Sequence, residues 1–145
     1  MDNVSKQFVG AWRLVSAVQY LADGTTRDNP MYGPGGIGYI LYSDSGRVCV
    51  VNIDPSRPPW VNQSSPTEAE LRSAMKGIMA YAGRYEVNAE QSCIIHHIEV
   101  DAVPNRVGSS AKRFFEFTGN LLILRPAPPL PEGITDYRIT WERVV

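Results

Sequence analysis

Short runs of alternating or β-branched residues, each ended by a turn signal, recur along the whole chain of 145 residues. Alternation with a period of two is typical of strands with one buried face, and the Gly, Asn, Asp and Pro residues between the runs favour turns. The pattern predicts about eight strands, over residues 12–20, 37–43, 47–53, 85–88, 92–100, 112–118, 121–125 and 135–143. We therefore predict an all-β fold, because eight short strands suit a small closed antiparallel barrel.

One segment departs from the strand pattern. Ser65, Pro66 and Glu68 supply a helix N-cap, a proline at the first helical position and a glutamate at the third. Residues 69–81 continue with good helix formers. The apolar stripe on this segment consists of Leu71, Met75, Ile78 and Met79. The sequence predicts one inserted α-helix, which either caps a barrel mouth or packs on the outer wall.

Length and composition bound the class of protein. The 43% of hydrophobic residues suffice for a core, and residues 1–145 are expected to form a single domain. The net charge of -1 comes without a basic stripe, so we expect no nucleic-acid partner, and no apolar run approaches the ~20 residues of a membrane span. Without a signal-peptide pattern, Cys49 and Cys93 favour free thiols, which predicts a cytoplasmic location.

The histidines His96 and His97 are adjacent in the predicted strand 92–100. Side chains alternate across a strand, so the two rings must point to opposite faces. Glu99 shares the face of His97, and that face is predicted to meet water. The face that carries His96 otherwise holds Ile94, Ile98 and Val100. His96 is either a core histidine bonded to a neighbour or the proton-transfer group of a lumen, since histidine titrates near neutral pH.

Other side chains are predicted to line the same lumen. A two-residue turn between the strands 37–43 and 47–53 would place Tyr39 on the same face as Asn52. Arg113 shares a face with Phe115, and Tyr85 is also predicted to point inward. The resulting lumen is aromatic and aliphatic with a few polar groups, which is how pockets for small hydrophobic molecules are built.

Two of the candidate residues have alternative roles. Arg113 either holds an anionic or enol oxygen of a ligand or neutralises a carboxylate such as Glu86 or Glu142. Trp60 either hangs over the barrel mouth, as part of the ligand site, or anchors the loop that precedes the helix.

Two kinds of cofactor site are weighed and set aside. Residues 33–38 match the dinucleotide-binding fingerprint letter by letter, but that fingerprint needs a helix after it, whereas a β-like run follows here and Pro34 removes a backbone donor. A metal site needs three or four converging ligands, and the adjacent histidines point apart. We expect neither a cofactor nor a metal.

The chain resembles the small lipocalin-like domain family of bacterial and fungal proteins. The matching segments are residues 9–16, 38–47, 81–85, 96–99, 104–108, 113–117 and 141–143. The start at Gly10 to Trp12 is similar to the glycine-x-tryptophan signature of lipocalins, in which the tryptophan plugs the closed end and a late arginine stacks on it. The resemblance implies a lipocalin-like barrel in which Arg143, or as a second choice Arg113, stacks on Trp12.

Two functions of different class fit these residues. The resemblance favours a cofactor-independent isomerase or cyclase of secondary metabolism, because barrels of this kind have been recruited for cyclisation and rearrangement. There, His96 would act as general acid or base, and Arg113, Asn52 or Tyr39 would stabilise an oxyanion. The alternative is a non-catalytic carrier or sensor of a small apolar ligand. Apolar outer strand faces, such as residues 40–42, would suit a homodimer.

Overall fold

The computed structural model of the chain describes residues 2–145. Its helices are α1 (Asn3–Phe8) and α2 (Glu68–Lys76), with a short 3₁₀ turn at Pro104–Arg106. Its strands are β1 (Gly10–Leu21), β2 (Thr26–Asp28), β3 (Ile37–Tyr42), β4 (Arg47–Ile53), β5 (Ile78–Asn88), β6 (Cys93–Asp101), β7 (Ser110–Thr118), β8 (Leu121–Pro126) and β9 (Ile134–Arg143). None of the helices within these residues is long and apolar enough to cross a membrane.

The strands form a closed barrel. β1 and β3 to β9 pair antiparallel in chain order, and β9 pairs back onto β1 from Trp12 opposite Arg143 to Leu21 opposite Ile134. The short β2 pairs with β1 at Val18 to Tyr20, beyond the end of β3. The predicted all-β antiparallel barrel of eight strands, with one helix inserted between β4 and β5, is confirmed.

Helix α1 closes one end of the barrel. Its last residue, Phe8, is buried, and the Phe8 carbonyl accepts a hydrogen bond of 2.8 Å from the Trp12 indole N–H. The Arg143 guanidinium lies 4.1 Å from the Trp12 ring centroid and donates to the Val9 carbonyl at 3.0 Å and to the Gln7 carbonyl. Arg143 is thus confirmed as the stacking partner of Trp12, whereas α1 itself was not predicted.

The hairpin between β3 and β4 corrects the predicted lumen. Its turn has three residues, 44–46, and Gly46 takes the left-handed φ of 84° that such a turn needs. The turn pairs Tyr42 with Val48, so Tyr42 faces inward and Tyr39 faces outward with 51% of its surface exposed. The predicted inward placement of Tyr39 is wrong, because one residue of turn length exchanges the two faces of a strand.

The inserted helix is shorter than predicted. It starts with a capping box between Thr67 and Glu70 and ends at Gly77, so Tyr81 belongs to β5 and is buried in the lumen. Leu71 and Met75 are exposed, α2 buries none of its residues, and residues 78 and 79 belong to β5, so the predicted helical stripe is wrong. The helix contacts its own preceding loop instead.

A β-bulge near the end of β6 changes the side of the barrel wall to which the last residues of the strand point. Gly83 pairs with Ile98 and Ala82 with Val100, so Glu99 is an extra residue and Val100 turns outward with 60% of its surface exposed. Glycine is required opposite the bulge, because a Cβ on Gly83 would lie 1.8 Å from a backbone carbonyl oxygen. The prediction that Val100 shares the inward face of His96 is therefore wrong.

Candidate functional site

His96 lies at the centre of a buried polar network. Ile94 and Ile98 flank it on the inward face of β6, and none of its surface is exposed. Its Nε2 lies 2.8 Å from the Tyr42 hydroxyl, and its Nδ1 lies 2.7 Å from the Tyr81 hydroxyl. A neutral imidazole has one donor and one acceptor, so one tyrosine donates to the ring and the other accepts from it.

His97 lies on the outer face, as strand alternation predicts. Its Nδ1 is 2.9 Å from the Ser110 hydroxyl, and its Nε2 is 3.2 Å from a carboxylate oxygen of Glu86. The two adjacent histidines are therefore separated by the barrel wall, and only His96 reaches the interior.

The environment keeps the interior groups uncharged. Burial lowers the pKa of His96 well below its usual value, and the charges of Arg113 and His97 lower it further. Burial likewise raises the pKa of Tyr42 well above its usual value, with Tyr81 beside it adding to the rise. At neutral pH the network therefore consists of a neutral imidazole and a protonated Tyr42 hydroxyl.

Arg113 is the cation of the lumen. It points inward from β7, and its guanidinium lies beside the Tyr81 hydroxyl, with Tyr42 and Tyr137 nearby. Burial disfavours its charge, but these three hydroxyls raise its pKa above the usual value, so the guanidinium stays charged. Arg113 does not stack on Trp12, since Arg143 occupies that position.

The carboxylates that were candidate partners of Arg113 are engaged on the outer surface. Glu142 pairs with Arg13 at 2.7 Å, and Glu86 lies against His97. Among residues 2–145, none of the ion pairs involves Arg113. The alternative that Arg113 neutralises Glu86 or Glu142 is therefore wrong.

A second pair of tyrosines extends the polar region. Tyr32, in the loop between β2 and β3, is buried, and its hydroxyl lies 3.2 Å from that of Tyr137 on β9. The Asn29 side-chain amide donates to the Tyr137 hydroxyl. Burial and the neighbouring Tyr137 raise the pKa of Tyr32 far above its usual value. The charge of Arg113 partly offsets this rise in the pKa of Tyr32, so the two side chains lie in one electrostatic environment.

Asn52 faces inward from β4, as predicted. None of its surface is exposed, and neither its amide nitrogen nor its amide oxygen has a hydrogen-bond partner within the described residues. Gly38, opposite on β3, makes room for it, because a Cβ there would lie 1.9 Å from the Asn52 Oδ1. A buried primary amide with free donor and acceptor atoms is costly unless something pairs with it.

A model of the Lipocalin-like domain matches residues 9–144. The chain belongs to the lipocalin-like domain family. The 4'-hydroxy-3'-methoxypropiophenone carrier protein ppsC of Aspergillus oryzae is 32% identical to this chain over 100 residues, which span 62% of this chain and 90% of that protein.

Two solved structures are similar to this chain. A lipocalin-like protein from Bacteroides uniformis has a TM-score of 0.49 and 14% identity, covering 95% of this chain and 99% of that one. An uncharacterized protein from Bacteroides eggerthii has a TM-score of 0.47 and 13% identity, covering 94% of this chain and 99% of that one.

The remaining predicted site residues occupy different parts of the lipocalin-like barrel. Phe115 faces inward and packs on Phe8, with ring centroids 5.0 Å apart. Tyr85 also faces inward, but its hydroxyl donates to the Ser43 carbonyl at 2.7 Å, near the end closed by α1. Trp60 lines a groove of about 350 Å³ between its own loop and α2, which favours the anchoring role over one at the mouth.

Access differs among the inward residues of the lipocalin-like barrel. His96 is fully enclosed, whereas Arg113 and Phe115 on β7 keep part of their surface accessible. Of these groups, Arg113 and Phe115 are partly accessible, whereas tyrosine hydroxyls lie against both ring nitrogens of the imidazole.

A cleft on the barrel wall includes Tyr32, the hydroxyl partner of Tyr137. It encloses about 250 Å³ between β1 and the glycine-rich loop 29–36, and the inward residues Leu14, Ala17 and Tyr32 lie along it. β3 pairs with β1 only through Arg13 and β2 pairs from Val18 onward, so the loop covers the stretch of β1 between them.

Across residues 2–145, no group of three or more His, Cys, Asp or Glu side chains is arranged to hold a metal ion.

The tyrosines were missed by sequence reasoning. Tyr42 could have been found from the correct hairpin turn, and Tyr81 from Gly77 as the end of the helix. Tyr32 and Tyr137 had no usable signal, because a loop and a distant strand bring them together only when the barrel closes.

Proposed function

We propose that the barrel lumen binds one small, mostly hydrophobic molecule of secondary metabolism and carries it unchanged. The observation that carries this proposal is Arg113, an inward and partly accessible cation in a lumen of tyrosines and apolar groups, for which residues 2–145 supply no carboxylate partner. A few polar groups among apolar walls are what fixes a small ligand in a pocket. The relative from Aspergillus oryzae, named as a carrier of an aromatic ketone, supports the same class.

The position of His96 favours carriage over direct catalysis. A general acid or base must come within hydrogen-bond distance of the proton that it transfers. His96 has no exposed surface, and both of its ring nitrogens are already engaged by Tyr42 and Tyr81. A ligand that contacts Arg113 does not reach the imidazole in this arrangement.

A cofactor-independent isomerase or cyclase is the second candidate, and one observation favours it. A continuous chain of polar groups runs from the enclosed side chains Tyr42, His96 and Tyr81 to the partly accessible Arg113. In this role the Tyr81 hydroxyl would exchange a proton with the substrate and His96 would exchange one with Tyr81. Arg113 would stabilise the oxyanion that forms.

One probe ketone separates the two functions. We expect 4'-hydroxy-3'-methoxypropiophenone to bind with one site per chain by isothermal titration calorimetry. In D₂O, NMR then follows deuterium exchange at the carbon next to the ketone. A carrier leaves this exchange at the rate in buffer, because it supplies no proton-transfer group to the bound ketone.

Acceleration of the exchange would instead support the enzyme, provided that Tyr81→Phe abolishes it and Tyr39→Phe, on the outer surface, does not. The absence of saturable binding would contradict both candidates.

We also propose a homodimer, through the outer face of the barrel strands that includes Leu41. Ile40 and Tyr42 are buried, and the exposed apolar side chains lie on the opposite face. Three of them, Ile37, Tyr39 and Val51, line a groove of about 340 Å³. The exposed apolar residues are Val15, Ile37, Tyr39, Leu41 and Val51. Adjacent exposed apolar side chains of this kind mark association surfaces more often than scattered ones do.

The double variant Tyr39→Lys/Val51→Lys tests the dimer. We expect it to be monomeric by light scattering coupled to gel filtration, because two buried charges on each side oppose association. Val61→Lys is the control, since Val61 is almost fully exposed in a loop away from this face. A monomeric wild-type protein at the same concentration would refute the dimer.

A further inference from the structure

The geometry points to a ligand with an acidic oxygen on an aromatic or conjugated skeleton, which binds as the anion with that oxygen against Arg113. The inference rests on the proposed function, because it takes the lumen as the binding site. It adds the charge of the ligand and the group that recognises it.

The charge of Arg113 is not balanced by a carboxylate of residues 2–145. A guanidinium removed from bulk water is costly unless an anion pairs with it. The mostly buried carboxylates are already paired: Asp136 with Arg125 and Arg138, and Asp101 with Arg106. A ligand anion would supply the counter-charge that the described protein groups do not provide.

Several tyrosine hydroxyls surround the Arg113 guanidinium. Tyr81, Tyr42 and Tyr137 lie close to the guanidinium, and Tyr32 is bonded to Tyr137. Burial raises the pKa of both Tyr32 and Tyr42, so these hydroxyls stay protonated. Of Tyr42 and Tyr81, the one that accepts from His96 keeps its own O–H as a donor. A free O–H beside a guanidinium suits an oxyanion better than an ether or a neutral ketone, because only the anion uses the charge.

Aromatic side chains lie next to Arg113 on the inward face of β7. Phe115 and Phe117 lie on the same inward face as Arg113, with ring centroids 5.7 Å apart, and both pack on Phe8. Aromatic edges and faces beside a single cation favour a flat, conjugated monoanion, such as a phenolate or an enolate. A second guanidinium, that of Arg106, lies 5.7 Å from the Tyr81 ring centroid but is already paired with Asp101.

The test compares 4'-hydroxy-3'-methoxypropiophenone with its O-methyl ether by calorimetry, from pH 7 upward through the pKa of the free phenol. We expect the phenol to bind more tightly as it ionises and to exceed the ether by at least ~10-fold at the upper pH, as for other hydrogen bonds to charged groups. The affinity of the ether should not change with pH. The titratable or charged groups that face the phenol are Arg113, His96, Tyr32, Tyr42, Tyr81 and Tyr137.

Variants then assign the effect to Arg113. Arg113→Met should remove the preference for the phenol over the ether, and Arg113→Lys should keep part of it. Arg138→Met is the matched control, because Arg138 is an exposed arginine on the outer surface. The comparison of the two ligands on the wild-type protein decides the matter even if Arg113→Met does not fold.

The outcomes separate this inference from the proposed function. Equal affinity of the wild-type protein for the phenol and the ether, or a preference that survives in folded Arg113→Met, would overturn the anionic ligand and leave lumen binding intact. If neither compound binds, the proposed function fails as well. Binding of an aliphatic carboxylate as tightly as the phenol would overturn the aromatic class.

Discussion

Replacing Trp12 with alanine is expected to lower the free energy of unfolding by about 3–5 kcal/mol, the usual cost of removing a buried tryptophan. Trp12 is 1% exposed and lies where α1 meets the closed end of the barrel. The variant leaves a cavity, deprives the Phe8 carbonyl of its donor and removes the ring that Arg143 covers. Unfolding in urea, followed by circular dichroism, measures the loss.

Trp60→Ala provides the matched control. Trp60 is only partly buried in a loop groove, so we expect its removal to cost about 1 kcal/mol or less. Equal losses for the two tryptophan variants would mean that the closed end is not a stabilising centre of this fold.

The alternation of side chains within one strand was enough to place several residues. His96 and His97 are split across the wall of β6, and Arg113 and Phe115 share the inward face of β7, as predicted. Alternation is a local property of extended backbone, so it holds wherever a strand is regular. Arg143 came from the resemblance, because nothing within its own strand points to Trp12.

The relations between strands could not be predicted in the same way. The three-residue turn at 44–46 moved Tyr39 out of the lumen, and the bulge at Glu99 moved Val100 out of it. Both features depend on how two strands pair, which single-strand periodicity does not contain.

The setting of Arg113 depends on the closed barrel as a whole. Its neighbours Tyr42, Tyr81 and Tyr137 come from three different strands, and Tyr32 comes from a loop. The sequence alone left open whether a carboxylate or a ligand pairs with Arg113. The structure excludes Glu86 and Glu142, because side-chain direction on their strands turns both carboxylates outward.

Acidification is expected to destabilise the protein through His96. Burial holds the pKa of His96 in the folded state well below about 6.5, the value for an unfolded chain. Below that pH the unfolded state binds a proton that the folded state does not, so the free energy of unfolding falls with falling pH. The slope is expected to approach about 1.4 kcal/mol per pH unit below pH 6.5 and to persist until the folded-state pKa is reached. Urea unfolding at a series of pH values measures it.

The variant His96→Gln isolates this contribution. Glutamine does not titrate and still offers a donor and an acceptor to the hydroxyls of Tyr42 and Tyr81, so the slope that begins below pH 6.5 should largely disappear. His97→Gln should keep the slope, because His97 lies on the outer face beside Ser110. Parallel pH profiles for wild type and His96→Gln would contradict an enclosed, neutral His96.

The ion-paired Asp136 does not account for the same pH window. Despite partial burial, Arg125 and Arg138 hold the pKa of Asp136 below its usual value, so the stability that this ion-paired carboxylate contributes is lost at lower pH. A loss of stability that begins near pH 6.5 therefore reports a histidine. The variants His96→Gln and His97→Gln show which of the two histidines is responsible. A slope that follows His96 alone would show that the imidazole stays neutral and enclosed between its tyrosines, with Arg113 left as the charged group available to a ligand.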